Sequence, residues 1–273
     1  RERVATPKND YYATVVTVVS LIKLIEKAAG KPGSIGVGIP GTISNSTGNI
    51  KNSNSTCLIG KPFDEDLKAK LKSPVRTAND ADCFTLSEAV DGSAAGYASV
   101  FGVILGTGVG GGIVFDGSLV AGPNGISGEW GHNRLPIAGP LNEPFCYCGK
   151  TGCIETYLSG PGLSRAHMER TGEQLNALQI GVKAETGDPE ANFSLEVFEG
   201  QLALALSMVI NILDPEAIVL GGGLSNLKRL YENVPKKLAA YVFSDTVETI
   251  LPPPEHRDSS GVRGAARLWP VNI

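Results

Sequence analysis

Apolar and polar positions near the start of the chain predict one helix and one buried strand. After Asn9 or Asp10, either of which can cap a helix, apolar side chains recur at the helical period. Gly30 ends this helix, and Pro32 follows as a second stop signal. The apolar run at 34–40 then predicts a short buried strand that leads into a turn.

The next stretch repeats this order of strand and helix. A polar segment continues to Ser55, and a helix is predicted at 64–71. A second apolar run at 75–78 stops at Asn79, where another helix begins and continues to about Val90. Strands that alternate with helices at this spacing indicate an α/β fold with a largely parallel sheet.

From Ser99 onward the pattern predicts an antiparallel meander. Two apolar runs flank a glycine-rich turn, and the Asp-Gly pair at 116–117 starts a second hairpin. Farther along, an apolar helix is predicted at 201–213, a buried strand at 217–220 and a last helix near 261–268. We therefore expect the meander to open a second domain.

Composition and charge narrow the classes of partner. The 273 residues include 24 basic and 28 acidic side chains, for a formal charge of −4, and 42% of the residues are hydrophobic. This size suffices for one large domain or two smaller ones. Because the chain lacks clustered Lys and Arg and an apolar run long enough to span a bilayer, neither nucleic acid nor a membrane is expected as partner. A small molecule is favoured instead.

The cysteines predict a metal site. Their number, five, is odd, and three of them fall within eight residues, which fits a reducing cytoplasm better than a disulfide framework. The spacing that permits tetrahedral Zn²⁺ is found in His132, Cys146, Cys148 and Cys153. Such a closed site leaves no position for water, so its expected role is to fix the loop that carries Glu129 and Glu155. Cys57 and Cys83 lack such neighbours and are expected to be buried, inert thiols.

The glycines at 106–112 lie in a turn between two predicted strands. A dinucleotide-binding fingerprint requires a helix after the glycines, and here Ile113 continues as strand, so a Rossmann site is not expected. Glycines in such a turn leave backbone N–H groups free to face an anion, which indicates a phosphate-binding hairpin. A plain glycine-rich turn is the alternative.

Polar residues at strand ends are candidate ligand-binding groups. Asn79 and Asp80 come where a strand meets a helix, which is where α/β sheets place ligands. An ordinary N-cap is the alternative explanation for this pair. The turn at 38–41, after the first strand, can present its backbone to a ligand in the same way.

Taken in order, six motifs resemble those of the ROK sugar kinases: GIPG, AND, LGTGVGGG, GEWGH, CxCGxxGCxE and VLGGG. This resemblance covers nearly the whole chain. Longer segments are similar to the bacterial fructokinase, or mannofructokinase, branch, among them NSNST, GEWGHN, CYCGKTGCIET and DSSGVRGAARLWP. The resemblance implies the actin-like ATPase (hexokinase/ribonuclease H-like) fold, with two α/β domains around a cleft. We expect a small domain at 1–97, to which a C-terminal helix at 260–273 returns, and a large domain at 98–259.

The resemblance also implies a role for each matching residue. Asp80 matches the catalytic base that takes a proton from the attacking sugar hydroxyl. The matching sugar-binding residues are Gly41, Asn54, Asn79, Asp80, Glu129, His132 and Glu155. The matching nucleotide-binding residues are Gly106, Thr107, Gly108 and Gly110 in the phosphate turn, and Gly221, Gly222 and Gly223 in the adenosine motif. His132 would direct one ring nitrogen to zinc and the other to the sugar.

The activity implied by the resemblance is ATP-dependent phosphorylation of the 6-hydroxyl of fructose, with mannose also accepted. ATP, Mg²⁺ and a structural Zn²⁺ are the expected cofactors of a cytoplasmic enzyme, and a homodimer is left open. Alternatives are a sugar-responsive ROK repressor, a glucose or N-acetylhexosamine kinase, and a sugar-binding module without activity. The carboxylate of Asp80 favours a kinase over a repressor.

Two features depart from the family pattern. The first phosphate motif, DxGGTK, is absent from these residues. We therefore expect the native gene product to begin with a glycine-bearing β-hairpin, and residues 1–273 alone to turn over ATP poorly. The loop between His132 and Cys146 is longer than is common in the family.

Overall fold

Helices and strands alternate along most of the chain, which the computed structural model describes at residues 2–137 and 143–270. The helices are α1 (Tyr11–Ala29), α2 (Phe63–Leu71), α3 (Asp80–Asp91), α4 (Ile154–Leu158), α5 (Gly160–Thr171), α6 (Ala177–Glu185), α7 (Pro189–Leu213), α8 (Arg229–Leu238) and α9 (Ser260–Arg267). The strands are β1 (Ile35–Ile39), β2 (Thr42–Ile43), β3 (Ile50–Lys51), β4 (Val75–Asn79), β5 (Ser99–Leu105), β6 (Val109–Phe115), β7 (Ser118–Leu119) and β8 (Ala217–Gly221). This order confirms the predicted α/β class. Arg1, residues 138–142 of the long loop and residues 271–273 of the predicted returning helix lie outside the described residues.

The strands form a parallel pair, a short hairpin and a four-stranded sheet. β1 pairs in parallel with β4, with Ile35 opposite Val75 and Ile39 opposite Asn79. The larger sheet has the order β7-β6-β5-β8, in which β5 runs antiparallel to β6 and parallel to β8. These pairings confirm the predicted meander and the parallel alignment of the first two buried strands.

The hairpin of β2 and β3 lies inside the stretch that the sequence pattern indicated as merely polar. Each strand has two residues, and Thr42 lies opposite Lys51. A two-residue strand is too short to show the alternation on which strand prediction depends. The hairpin was therefore missed.

Helix α7 is longer than the helix predicted at 201–213, which is only its second half. Its first half mixes apolar with acidic residues, and Asp188 caps it ahead of Pro189. Among the described residues, α7 is the one helix long and apolar enough to cross a membrane. In its most apolar window, 56% is buried inside the protein, as is usual for a core helix.

Helix α3 contacts the parallel pair on one side and strands β5 and β6 of the larger sheet on the other. Phe84 of this helix belongs to the same buried cluster as Val100 of β5. Helix α9 packs on α3 and on β1, where a Cβ at Gly36 would lie 1.8 Å from the carbonyl oxygen of Ala265. A glycine is therefore required at this crossing. The division into domains at 97 and 98 stays a prediction.

The carboxylate of Glu88 ties the end of α3 to the segment that leads into α9. Its side chain is fully buried and accepts hydrogen bonds from the backbone N–H groups of Ser93, Glu255 and His256 at 3.0–3.1 Å. The hydroxyl of Ser260 donates a further bond at 2.8 Å. Burial alone would raise the pKa of Glu88, but these donors outweigh it and hold that pKa below its usual value.

Candidate functional site

A cavity of about 610 Å³ opens where the carboxyl ends of β1 and β4 face the turn between β5 and β6. Its volume is typical of small-molecule sites. All seven predicted sugar-binding residues line it: Gly41, Asn54, Asn79, Asp80, Glu129, His132 and Glu155. Four predicted nucleotide-binding residues line it too: Gly106, Thr107, Gly108 and Gly110. One cavity thus collects residues from separate stretches of the sequence.

Asn79 joins two strand ends and caps a helix. Its Oδ1 accepts a hydrogen bond from the N–H of Ala81 at 2.8 Å, so the N-cap explanation is correct for this residue. Its Nδ2 also donates to the carbonyl oxygen of Gly41 at 3.0 Å, which links the ends of β4 and β1. Asp80 follows as the first residue of α3, and its Oδ1 accepts from the same Ala81 N–H at 2.9 Å.

The carboxylates on the cavity wall are held in surroundings that favour the neutral acid. Asp80 is open to the cavity, yet the surrounding protein displaces much of its water, and this desolvation raises its pKa. Burial also raises the pKa of Glu129; His132 opposes that shift, and the charges of Glu155 and Asp80 add to it. A carboxylate with a raised pKa is a stronger base than one in water.

Asp82 is a cavity residue that the sequence analysis missed. Burial raises its pKa to about 7, with smaller contributions from the charges of Glu129 and Asp80. Its Oδ1 is buried and has no hydrogen-bond partner among the described residues. An acidic residue three positions after an Asn cap is close to the capping-box pattern, and that pattern could have drawn attention to it.

The glycine turn between β5 and β6 consists of Gly106, Thr107 and Gly108. The N–H of Gly106 donates to the carbonyl oxygen of Gly108 at 3.0 Å. Just after the turn, the N–H of Val109 donates to Oε2 of Glu155 at 2.9 Å, which ties the turn to α4. A Cβ at Gly108 would lie 2.5 Å from that same oxygen, so a side chain there would displace the Glu155 carboxylate from the turn.

Two further groups of glycines differ in their structural roles. In β6, a Cβ at Gly112 would lie 2.6 Å from Oγ1 of Thr85, so this glycine allows α3 to pack on the sheet. Gly221, Gly222 and Gly223 lie at the carboxyl end of β8, with Gly221 in register with Ile104 of β5. They therefore flank the glycine turn at the same sheet edge, but they do not line the cavity. Their adenosine-binding role stays a prediction.

The four predicted metal ligands come together beside the cavity. One ligand atom from each of His132, Cys146, Cys148 and Cys153 lies within 4.8 Å of the others. Nδ1 of His132 lies 3.6 Å from Sγ of Cys146, and Sγ of Cys148 lies 3.6 Å from Sγ of Cys153. Ligands of a tetrahedral zinc ion are about 3.7 Å apart, and three thiols with one imidazole are a usual zinc set. The donor set fits Zn²⁺, whose presence stays a prediction.

Binding of a cation would require these thiols to lose their protons. Burial, followed by hydrogen bonds among the cysteines, raises the pKa of Cys153 to about 12, so this thiol is protonated at neutral pH without a metal. A bound metal ion would remove that proton. Of the two cysteines outside the cluster, Cys83 is buried as predicted, whereas Cys57 is only half-buried. It packs at the edge of the apolar core around α1 and α2 rather than inside it.

Tyr147 is a second cavity residue that the sequence analysis missed. Its hydroxyl lies 3.2 Å from Nε2 of His132, and the two rings meet edge to face with centroids 5.3 Å apart. On its other side lies a second cavity of about 670 Å³, which shares Thr107, Tyr147 and Glu155 with the first. His132 thus has one ring nitrogen toward the cysteines and the other toward Tyr147.

Comparison with known proteins identifies relatives of this chain. A sequence model of the ROK family matches residues 1–272. The chain is 42% identical over 273 residues to N-acetyl-D-glucosamine kinase from Photobacterium profundum, with 98% of this chain and 90% of the relative covered. It is 40% identical over 275 residues to N-acetyl-D-glucosamine kinase from Pasteurella multocida, with the same shares covered.

A solved structure shows the same architecture. The crystal structure of ROK hexokinase from Thermus thermophilus superposes with a TM-score of 0.85 at 27% identity, covering 96% of this chain and 87% of that one. This likeness confirms the predicted actin-like ATPase fold. The matched share leaves no large part of the chain without a counterpart.

Proposed function

This chain belongs to the ROK family, and from that premise we propose that it transfers a phosphoryl group from ATP to the 6-hydroxyl of a hexose. Sugar kinase activity and ATP use are supported by relatives at 40% and 42% identity, both N-acetyl-D-glucosamine kinases. N-acetyl-D-glucosamine is therefore the first candidate substrate. Fructose, expected from the sequence segments, takes second place.

One observation carries the proposal. The cavity brings a desolvated carboxylate, Asp80, opposite a glycine turn at 106–108, with polar side chains for a sugar around them. Phosphoryl transfer requires alignment and charge neutralisation more than covalent chemistry. A base on one side and backbone donors on the other supply these two requirements.

In the proposed mechanism, Asp80 accepts the proton of the attacking hydroxyl. Its place at the first residue of α3 is fixed by the cap at Asn79, and its raised pKa strengthens it as a base. Glu129 and His132, on the opposite wall of the same cavity, would bind other sugar hydroxyls. Holding several hydroxyls at once orients the reacting one and lowers the entropic cost of the transfer.

The glycine turn is the proposed phosphate site. Its backbone can approach an anion closely because Gly106 and Gly108 carry no side chain. Glu155 holds the following residue, Val109, and so fixes the turn relative to the sugar wall. Mg²⁺ bound to ATP would neutralise phosphate charge, and the carboxylate oxygens of Asp80 and Asp82 are the ligand type that it prefers.

The cysteine cluster is proposed as a structural zinc site. All four ligand positions are supplied by the protein, which leaves none for substrate. Zinc there would fix the path of the loop that carries Tyr147 and the orientation of His132. Cytoplasmic location is proposed on the same grounds, since these thiols must stay reduced to bind metal.

Fructose stays a second candidate because of one specific observation. The segment CYCGKTGCIET, which resembles the fructokinase branch, contains Tyr147, and this side chain reaches the cavity wall. The substrate choice therefore depends on whether the cavity accommodates an N-acetyl group at that wall. Mannose is grouped with fructose, because the same segments resemble the mannofructokinase branch.

A coupled assay of ADP release over a sugar panel tests the proposal. We expect kcat/KM for N-acetyl-D-glucosamine to exceed that for fructose, mannose and glucose, because contacts built for one set of polar groups reject analogues that leave them unpaired. A kcat/KM that is higher for fructose than for N-acetyl-D-glucosamine would make fructose the first candidate. No turnover of any hexose by the wild-type protein, with an intact fold, would overturn kinase function.

A further inference from the structure

Asn52 lines the cavity and has no role in the mechanism proposed above. It follows strand β3 and lies in the left-handed region, with a φ of 55°, which Asn tolerates better than most residues. Its backbone packs against the end of β1, where the Cβ that Gly41 lacks would lie 3.0 Å from the carbonyl oxygen of Asn52. Because Asn79 donates a hydrogen bond to Gly41, this contact places Asn52 beside the strand ends that lead to Asp80.

The residue after Asn52 fixes the path of this segment. Ser53 is buried, and its hydroxyl oxygen accepts a hydrogen bond from the N–H of Ser55 at 3.1 Å. Asn52 and Asn54, on either side of Ser53, are exposed and line the cavity. The buried serine thus anchors the segment and leaves the two asparagines at the cavity surface.

The amides of these two asparagines are free to bind a ligand. Two other asparagines of the cavity, Asn45 and Asn79, each donate from Nδ2 to a backbone carbonyl oxygen, at 2.7 and 3.0 Å. Within the part of the chain that the structure describes, the side chains of Asn52 and Asn54 have no hydrogen-bond partner. A free carboxamide offers two N–H donors and one acceptor oxygen. Asn54 already has a predicted sugar-binding role, whereas Asn52 has none.

The cavity is rich in hydrogen-bond acceptors. The carboxylates of Asp80, Glu129 and Glu155 line it, and an ionised carboxylate can only accept. Each sugar hydroxyl has one hydrogen to donate and an oxygen that accepts, so carboxylates alone would leave the hydroxyl oxygens without donors. A polar group that loses water without gaining a partner weakens binding. An amide N–H at the cavity surface supplies the missing donor.

We propose that Asn52 is a hexose-binding residue, which donates a hydrogen bond from its side-chain amide to the oxygen of one sugar hydroxyl. This inference rests on the proposed function, because it requires a hexose in the cavity. It adds to the sugar site a donor that follows the β2–β3 hairpin. Selection among hexoses then depends on which of them places a hydroxyl oxygen opposite this amide.

The test replaces Asn52 by glycine and measures hexose affinity by titration calorimetry in the absence of ATP. Glycine keeps the left-handed backbone and removes the amide, so Kd for the preferred hexose should rise about three- to tenfold. Asn9→Gly is the matched control, because Asn9 is also exposed and left-handed, with a φ of 57°, and does not line the cavity. Its hexose Kd should equal that of the wild type.

Asn52→Asp tests the direction of the hydrogen bond. Aspartate has the same shape and is also tolerated in the left-handed region, but its ionised carboxylate cannot donate. Kd should therefore rise at least as much as in Asn52→Gly. Wild-type affinity in either variant, with the fold intact by circular dichroism, would overturn the inference.

Monodeoxy analogues of the preferred hexose then identify the contacted hydroxyl. Asn52→Gly should bind one analogue, the one that lacks this hydroxyl, as well as the wild type does, and bind the others more weakly. The same loss for every analogue would contradict a bond to one hydroxyl. If the wild type binds no hexose at all, the proposed function fails. If the wild type binds a hexose and the Asn52 variants bind it equally well, only this inference fails.

Discussion

The two walls of the cavity at the candidate site are held in place by different means. We call residues 39–41 with 79–82 the strand-end wall, and residues 129–137 with 143–155 the loop wall. The strand-end wall continues the hydrogen-bond ladder of β1 and β4 and is capped by Asn79. The loop wall consists mostly of short turns, with isolated bridges such as that between Arg134 and Cys153.

The residues of the strand-end wall are positioned by backbone hydrogen bonds, and those of the loop wall by side-chain contacts. Backbone ladders fix the strand-end wall as soon as the chain folds. The loop wall instead depends on a cluster of four side chains and on single contacts such as the bond from Val109 to Glu155. We therefore expect catalytic chemistry to reside in the strand-end wall, and metal and sugar affinity to depend on the loop wall.

The largest expected effect concerns Asp80, the proposed base on the strand-end wall. Asp80→Asn keeps the shape of the side chain and removes its ability to take a proton, so kcat should fall by about 10²- to 10⁴-fold. Hexose Kd should change little. The matched control is Asp116→Asn, an exposed turn residue between β6 and β7 in the left-handed region, where Asn is well tolerated. A near-normal kcat for Asp80→Asn would show that Asp80 is only the first residue of α3 and not the base.

The next effect concerns the loop wall. Cys148→Ser, or a chelator, should remove about one equivalent of zinc and weaken hexose affinity by about 10- to 100-fold. Melting temperature should fall as well, because metal binding is part of the folding free energy of this loop. Cys57→Ser, outside the cluster, serves as control. Absence of zinc from freshly purified, reduced wild-type protein would contradict the assignment.

The smallest effect on activity concerns the scaffold behind the strand-end wall. Glu88→Gln leaves buried donors around a weaker acceptor and should lower the free energy of unfolding by about 3 kcal/mol. Hexose Kd and kcat of the folded protein should be retained, because Glu88 lies toward the opposite end of α3 from Asp80. Glu196→Gln, exposed on α7, is the control for chemical denaturation.

The same substitution changes the pH dependence of stability. The pKa of Glu88 is below its usual value in the folded protein, so its carboxylate stabilises the fold above the unfolded-state pKa. That contribution is lost as pH falls through the lower, folded-state pKa. The difference in stability between wild type and Glu88→Gln should therefore narrow in acid. A difference that stays constant from neutral to acidic pH would contradict the ionised state of Glu88.

The strand-end wall was accessible to sequence reasoning because its signals are local. Asn79 and Asp80 follow an apolar run and precede a helical period, so both the turn and its exposed polar groups could be read from neighbouring residues. The same holds for the cysteines, whose spacing indicates a shared metal. A local pattern sufficed for these residues.

The missed residues depend on contacts between distant parts of the chain. Tyr147 meets His132 only because the loop turns back over 15 positions, and no local pattern encodes that path. Asp82 lies two residues from Asp80, yet its raised pKa arises from burial and from Glu129 on the other wall. Desolvation is a property of the packed structure, which the sequence does not display.

The two tryptophans lie in different parts of the molecule, so the fluorescence of each can report on its own surroundings. The indole N–H of Trp130 donates to the carbonyl oxygen of Gly110 at 2.9 Å, and the ring lies edge-on to Phe101. The indole of Trp269 donates to Ile35 at 2.8 Å beneath the guanidinium of Arg76. Trp130 therefore emits from beside the glycine turn, and Trp269 from behind the strand-end wall. With one indole replaced by phenylalanine at a time, intrinsic fluorescence would follow each environment separately without an added dye.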